Sequence, residues 1–217
     1  MKEFKIISLN IGMPKKLKIG DKEYISGVGK EPVEKAFLSK EGFTNDGVQL
    51  TKVHGGPDRA VLFYCSDHYE TWNEEFGKEL LIPGFGENIT ISGLPETEVY
   101  IGDVFQVGEA VVEISQPRNP CNTLSKYNDE DDLLSKMIEK GFTGYLGRVV
   151  QEGLIQVDSS VSLLERKMNS VSVSYSNEVY FHDRNNVEGI KKLLDVEELS
   201  DAWRDTLTKR LQTLETN

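Results

Sequence analysis

Short apolar or alternating runs, most of them bounded by glycine or proline, fill the chain from its start to about residue 168. Runs of this kind are typical of β-strands. The clearest, Arg59–Cys65, is apolar almost throughout, so we expect it to be buried on both faces of a sheet. The predicted strands are Phe4–Gly12, Lys35–Ser39, Arg59–Cys65, Asn88–Ile91, Glu98–Val107 (which Gly102-Asp103 could interrupt), Glu109–Ser115, Gly144–Gln151, Leu154–Val157 and Val161–Glu165.

Two helices are predicted inside this strand-rich region. The first follows Ser66, whose hydroxyl could cap it, and carries Tyr69, Trp72 and Phe76 at helical spacing. The second spans Asp129–Lys140, with acidic residues in its first turn. Strands and helices do not alternate regularly, which argues against a doubly wound sheet. The pattern therefore predicts a mainly β fold, a closed or partly closed barrel with inserted helices.

The character of the chain changes after about residue 168. Ser170–Ser176 alternates serine with apolar residues, which indicates an edge strand or a linker. Residues 185–217 indicate two or three short helices, the clearest of them capped by Ser200. A module of under about 50 residues seldom sustains its own core, so we expect it to pack on the barrel. The predicted units are a β-barrel of residues 1–168 and a small helical module of residues 169–217.

Composition and charge exclude several classes of protein. The chain is 38% hydrophobic and 28% charged, close to an ordinary globular protein. Its formal net charge of −11 repels phosphate backbones, so nucleic acid is not an expected partner, and an anionic ligand would need a local cluster of arginines. No run approaches the roughly 18 apolar residues of a membrane span, and no secretory signal is visible. With only two cysteines, the expectation is a cytoplasmic protein with reduced thiols and no membrane partner.

Common catalytic motifs are missing from the sequence. It contains no phosphate-binding loop, no dinucleotide fingerprint and no Cys-x-x-Cys pair, and His54, His68 and His182 lack the spacing of metal ligands. Two glycine-containing segments nevertheless stand out. In His54–Arg59, two glycines can expose backbone N–H groups and Arg59 could bind phosphate, although spacing alone favours a plain turn with a solvated arginine. In Gly84–Asn88, Asn88 suits the edge of a heterocycle, or simply caps a turn.

The third unusual segment is Ser115–Asn122, a proline-stiffened loop that follows a predicted strand. Cys121 is expected to be exposed on this loop near Arg118, where a thiolate could be reactive or could bind a soft metal. An ordinary buried cysteine is an equally open alternative at this point. Cys65, inside an apolar strand, is predicted to be a core residue.

Together these segments resemble the MOSC-domain family, named after the C-terminal domain of molybdenum-cofactor sulfurase, and within it the stand-alone bacterial YiiM-like branch. The resemblance holds in order and spacing from about residue 4 to 168, and the tail resembles the three-helix extension of that branch. The matching segments are Asp46–Gln49 with Val53–Val61, Gly84–Ile89, Ile101–Asp103, Gln116–Cys121, and Gly141–Tyr145 with Arg148-Val149.

The resemblance implies a MOSC-type barrel that binds the molybdenum cofactor, Mo-molybdopterin, with Cys121 as the molybdenum ligand and catalytic centre. It places Arg59 and Arg118 on the phosphate or pterin side, and His54 and Asn88 near the pterin. The implied cofactor-binding residues are His54, Arg59, Asn88, Arg118 and Asn119.

The resemblance also implies an activity, the reduction of small N-hydroxylated compounds such as N-hydroxylated purines. Because the sequence shows no flavin or iron–sulfur motif, electrons would come from a separate flavin-type reductase, whose basic face could meet the acidic surface. Two alternatives stay open: a carrier of cofactor or sulfur, with a persulfide on Cys121, and an interaction module that has lost its ligand. The helical tail could cover the pocket, form a homodimer or dock the electron donor.

Overall fold

The chain is built on a β-barrel in the computed structural model, which describes residues 3–19, 22–47 and 55–216. The strands in these ranges are β1 (Glu3–Ile11), β2 (Lys15–Ile19), β3 (Lys22–Ser26), β4 (Glu31–Pro32), β5 (Lys35–Ser39), β6 (Gly42–Phe43), β7 (Val61–Cys65), β8 (Ile89–Ile91), β9 (Val104–Val107), β10 (Ala110–Pro117), β11 (Tyr145–Gln151), β12 (Gly153–Gln156) and β13 (Ser160–Glu165).

Seven of these strands close the barrel, in the order β13-β9-β10-β11-β7-β8-β1, and β1 returns to pair with β13. Neighbouring strands are antiparallel except β7 and β8, which are parallel. The closed barrel predicted from the sequence is confirmed. Alternation along β1, where Phe4 and Ile6 are buried between exposed neighbours, shows why one face of such a strand turns inward.

Helices lie outside the barrel, and no helix in the described part of the chain is long and apolar enough to cross a membrane. Trp203 and Leu207 of the last helix belong to the same hydrophobic cluster as the barrel residues Ile114 and Tyr145, so the C-terminal helices pack directly on the barrel. The helices are α1 (Asp67–Phe76), α2 (Thr123–Asn128), α3 (Leu133–Lys140), α4 (Val173–Asn177), which a π-helical turn (Glu178–His182) continues, α5 (Val187–Leu194) and α6 (Asp201–Glu215).

Two of the predicted helical features are wrong. The single helix predicted over Asp129–Lys140 begins only at Leu133, because Asp129 adopts a left-handed conformation (φ 54°) that ends α2 and leaves the acidic run in a connection. Ser66 does not cap α1, since its hydroxyl donates a hydrogen bond to Asp67 Oδ1 at 3.1 Å.

One strand prediction is shortened and another is wrong. Glu98–Val107 is interrupted at Gly102-Asp103, as the sequence allowed: a turn with Gly102 at φ 87° precedes β9. Ser170–Ser176 is neither an edge strand nor a linker, since a single bridge at Ser172 leads at once into α4, and the Ser172 hydroxyl caps that helix. The hairpin of β2 and β3 was not predicted.

A second hydrophobic cluster forms beside the barrel, where α1, α2 and α3 pack. Its largest members, Tyr64, Trp72 and Phe85, are fully buried, and Trp72 Nε1 donates to Tyr64 Oη at 2.7 Å. Leu124 of α2 belongs to this cluster and also lines a cavity. One wall of the cavity is therefore backed by this closely packed aromatic cluster, and another wall is formed by the barrel.

Candidate active site

A cavity of about 490 Å³ opens where the ends of several barrel strands meet the loops between them. It brings together five of the six site residues that the sequence predicts. These are Arg59, Asn88, Arg118, Asn119 and Cys121. The sixth, His54, lies outside the described residues. The cavity thus gathers the three segments singled out in the sequence.

Cys121 reaches the cavity on the loop that follows β10. The loop is held to the barrel where the Arg118 backbone N–H donates to Gly144 O at 3.0 Å, and the Cys121 carbonyl accepts from Leu124 N at 3.0 Å. The Cys121 thiol is free and partly exposed. A thiol on a fixed loop at a cavity wall is suited to hold a soft metal.

Cys65, at the end of β7, is the opposite case. It is 0% exposed, and burial raises the pKa of its thiol to about 12. The prediction that Cys65 is a core residue is confirmed, and at neutral pH its thiol is inert.

These two environments predict the result of thiol labelling. In cofactor-free native protein we expect one thiol per chain, that of Cys121, to react with a disulfide reagent such as dithiobis(nitrobenzoate) within minutes. Cys65 should react only after unfolding, because the chain must open to expose it. The fast phase should vanish in Cys121→Ala; its persistence in that variant, or two fast thiols in the wild type, would contradict the assignment.

Arg118 is the most unusual side chain of the cavity. Its Nη1 nitrogen is buried and has no hydrogen-bond partner among the described residues. Burial lowers the pKa of Arg118, an effect that the nearby Cys121 and Glu87 oppose. An unpaired buried donor costs about 1–3 kcal/mol, and more when it is charged. Such a group in a cavity is explained by a ligand that supplies the missing acceptor.

Glu87 is a fully buried carboxylate between the cavity-lining residues Gly86 and Asn88, and it already has hydrogen-bond partners within the protein. Its Oε1 accepts from Tyr69 Oη at 2.5 Å and from Thr90 Oγ1 at 2.9 Å, and its Oε2 accepts from Phe85 N at 2.9 Å. These three donors occupy both oxygens of the carboxylate, and neither oxygen has a hydrogen bond to Arg118 among the described residues. Arg118 therefore keeps its capacity for an external anion.

Arg59 ends a 3₁₀ turn, Pro57–Arg59, that precedes β7 and follows Gly56 in a positive-φ conformation (109°). Its Nε donates to Gln116 Oε1 at 3.2 Å. The adjacent Asp58 does not neutralise it, because the Asp58 carboxylate accepts from Arg148 Nε at 2.7 Å. Arg148 therefore forms its hydrogen bond within the fold, whereas Arg59 lines the cavity.

Lys30 and Asp46 form a buried ion pair in the cavity wall, with side-chain exposures of 5% and 10%. Burial lowers the pKa of Lys30, and its hydrogen bond to Asp46 opposes that effect. Asp46 Oδ1 also accepts from Gly12 N at 2.8 Å, and Oδ2 accepts from Asn88 Nδ2 at 2.8 Å. Sequence reasoning missed this pair as a unit because its members lie on separate segments.

Asn88 lines the cavity, but its side-chain amide forms hydrogen bonds within the protein. Besides the bond to Asp46, Nδ2 donates to Asn10 O at 3.2 Å and Oδ1 accepts from Leu62 N at 3.1 Å. Both of its donor hydrogens are therefore used within the protein. The side chain ties β1 and β7 to the ion pair, and it shapes the cavity wall.

Asp46→Asn is expected to lower the free energy of unfolding by about 3 kcal/mol, because the buried Lys30 ammonium loses its counter-charge. Adding Lys30→Met should recover most of the loss, since no buried charge is then unpaired. Glu31→Gln, at the exposed Lys15–Glu31 pair, is the matched control and should change stability little. Urea denaturation followed by tryptophan fluorescence gives all three values; equal losses for the two single variants would refute the buried-pair argument.

The cavity is electropositive although the chain as a whole is acidic. Among the described lining residues Lys30, Arg59 and Arg118 are cationic, whereas the carboxylates are Asp46, which Lys30 engages, and the exposed Glu41. An anion gains most from such a site when it approaches the buried guanidinium. Cationic groups, a free thiol and a volume of about 490 Å³ together fit a small-molecule ligand that carries both phosphate and a soft metal.

Comparison with known proteins gives two family matches that follow one another along the chain. The model of the MOSC domain matches residues 50–162, and that of the YiiM-like 3-alpha helix domain matches residues 171–214. The uncharacterized Bacillus subtilis protein YflK is 38% identical over 97% of this chain and 96% of its own length. The Escherichia coli protein YiiM is 35% identical over 85% of this chain and 84% of its own length.

A more distant relative and a solved structure extend the comparison. A Gibberella moniliformis protein named Reductase is 32% identical over 77% of this chain, which corresponds to 30% of that protein. The crystal structure of YiiM from Geobacillus stearothermophilus superposes with a TM-score of 0.82 at 34% identity, covering 96% of this chain and 99% of that one.

Proposed function

The chain belongs to the MOSC-domain family, in the branch with a YiiM-like three-helix domain, and from this we propose that it uses the molybdenum cofactor to reduce N-hydroxylated compounds, N-hydroxylated purines among them. The family and the fungal relative named Reductase support a general oxidoreductase-like role. The metal, the cofactor and the substrate class are the further steps of the proposal.

One observation carries the proposal: the same cavity is lined by the partly exposed thiol of Cys121 and by Arg118, whose buried Nη1 nitrogen has no partner in the described part of the chain. A thiolate is a suitable protein ligand for a soft metal, and a buried arginine suits a phosphate. The molybdenum cofactor carries both features, so the residues fit it. A site for an uncharged substrate alone would leave Arg118 Nη1 unexplained.

The residues of the cavity would have separate roles in holding the cofactor. Cys121 Sγ, as thiolate, would hold the metal, while Arg118 and Arg59 would bind the phosphate and fix the direction in which the cofactor lies. The buried Lys30–Asp46 pair would stabilise the part of the cavity wall in which it lies. When bound, the cofactor supplies a two-electron Mo(IV)/Mo(VI) couple that can accept oxygen.

The overall reaction consumes two electrons and two protons, breaks the N–O bond, and yields an amine and water. The electrons would come from a separate flavin-type reductase, since the sequence carries no flavin or iron–sulfur motif of its own. The acidic surface of the chain, with a formal net charge of −11, would favour a donor with a basic docking face.

The experiment that tests the proposal compares the same chain from two hosts, one able and one unable to make the molybdenum cofactor. Each preparation is supplied with a flavin reductase, NADPH and an N-hydroxylated purine, and the amine is measured by mass spectrometry. We expect amine only from the cofactor-competent preparation. Equal amine from both, or none from a preparation that contains molybdenum, would overturn the proposal.

The partial exposure of Cys121 also suits a second candidate, a carrier of sulfur or cofactor without turnover. A persulfide on Cys121 needs an accessible thiol but makes no use of the buried Arg118. Stoichiometric sulfane sulfur on purified protein, together with no amine formation, would favour the carrier.

A further inference from the structure

We propose that the C-terminal helical module contributes to ligand binding in the cavity, because Ser200 at the start of α6 positions Arg59 through Gln116. The inference rests on the proposed anion-binding role of Arg59. It gives the module, which contributes no cavity-lining residue among the described residues, a function in binding as well as in packing.

Ser200 and Arg59 share one hydrogen-bond acceptor, the side-chain oxygen of Gln116. The Ser200 hydroxyl donates to Gln116 Oε1 at 2.7 Å, and Arg59 Nε donates to the same oxygen at 3.2 Å. Ser200 is 0% exposed and Gln116 is 2% exposed, so water has little access to the bond between them. The other end of the amide is also fixed, since Gln116 Nε2 donates to Pro117 O at 3.1 Å.

The serine hydroxyl helps to hold the oxygen end of the Gln116 amide toward Arg59. Ser200 Oγ accepts from Trp203 N at 3.3 Å as the cap of α6, so its hydrogen is available to donate. Two donors at one amide atom require that atom to be oxygen. Without the hydroxyl, Gln116 Oε1 loses the shorter of these two hydrogen bonds, and the amide can shift away from Arg59 Nε. Ser200 is therefore a positioning residue.

The start of α6 is itself held firmly on the barrel. Ser200 N donates to Ser115 O at 3.0 Å, and Asp201 N donates to Asp58 Oδ2 at 3.3 Å. Asp58 directly precedes Arg59, so the module contacts the backbone neighbour of the arginine as well as its partner. Hydrogen bonds fixed at both ends preorganise a side chain for its ligand and reduce the cost of ordering it on binding.

The test uses the full chain and a matched pair of serine caps. Ser200→Ala removes a cap and the contact with Gln116, whereas Ser172→Ala removes only the cap of α4, where Ser172 Oγ accepts from Tyr175 N at 3.0 Å. Ser200→Thr keeps the hydroxyl and is the rescue variant. Removing either cap should lower thermal stability to a similar degree, so stability alone does not separate the two variants.

Two measurements separate positioning from packing. The first is the hydrogen-exchange rate of the Arg59 Nε–H group, assigned with Arg59→Lys. We expect Ser200→Ala to accelerate this exchange, and Ser172→Ala and Ser200→Thr to leave it near the wild-type rate. The second is calorimetric titration with inorganic pyrophosphate. Ser200→Ala should weaken binding about three- to tenfold, the scale of one orienting hydrogen bond, and should weaken it no further in an Arg59→Lys background.

Unchanged Arg59 exchange in Ser200→Ala overturns the inference, as do equal effects of the two serine variants on pyrophosphate or additive effects with Arg59→Lys. Wild-type protein that binds no pyrophosphate overturns the anion-binding role itself. A wild type that lacks molybdenum and turnover would instead defeat the proposed function, and the exchange comparison would still be decided on its own result.

Discussion

The Cys121→Ala protein is expected to fold normally and to lose reduction of N-hydroxylated substrates by more than about a hundredfold. Loss of a residue that merely supports a metal ligand already reaches about that range, so loss of the ligand itself should exceed it. The fold should survive because Cys121 lies on a loop and is partly exposed, outside both hydrophobic clusters. Turnover per folded chain, with folding checked by circular dichroism, is the measurement.

Cys65→Ala is the matched control, since it removes the other thiol of the chain. It leaves a void in the core and should lower the free energy of unfolding by about 1 kcal/mol. Turnover per folded chain should stay near the wild-type value, because Cys65 does not line the cavity. Normal turnover in Cys121→Ala, or matching losses in the two variants, would remove Cys121 from the catalytic centre.

Arg118→Met is expected to change stability and binding in opposite directions. Methionine removes the buried Nη1 nitrogen, which has no hydrogen-bond partner among the described residues, so the cofactor-free protein should become more stable by about 1–3 kcal/mol. Affinity for pyrophosphate should fall by about a hundredfold, because the buried guanidinium is the group best placed to pair with a phosphate. Urea denaturation and calorimetric titration measure the two effects.

Arg148→Met serves as its control. The Arg148 guanidinium bonds Asp58 and Glu113, both at 2.7 Å, so its removal leaves two carboxylates without their partner. Stability should therefore fall, which is opposite in sign to Arg118→Met. An Arg118→Met protein that is less stable than the wild type and binds pyrophosphate as tightly would show that Arg118 serves the fold alone.

The sequence was sufficient to predict the barrel and most of the cavity. The short apolar or alternating runs that predict β1 and β7 are local signals, and both strands are present in the structure. The segments that hold Arg59 and Cys121 were distinguishable because glycines and prolines with polar side chains flank predicted strands, where loops meet at one end of a barrel.

What the sequence could not predict depends on contacts between distant residues. Asp46 and Asn88 are 42 positions apart, and Gln116 and Ser200 are 84 positions apart, so no periodicity or spacing connects them. The break between α2 and α3 depends on one left-handed residue, Asp129, in a run that otherwise suits a helix. Tertiary packing decided each of these features.

The most direct test of the central claim, that Cys121 holds molybdenum in this cavity, is X-ray absorption at the molybdenum edge. Wild-type and Cys121→Ala proteins would be prepared from a cofactor-competent host and compared at equal molybdenum content. We expect one sulfur ligand fewer around the metal in the variant. The same number of sulfur ligands in both proteins, or a wild type that holds no molybdenum, would contradict it.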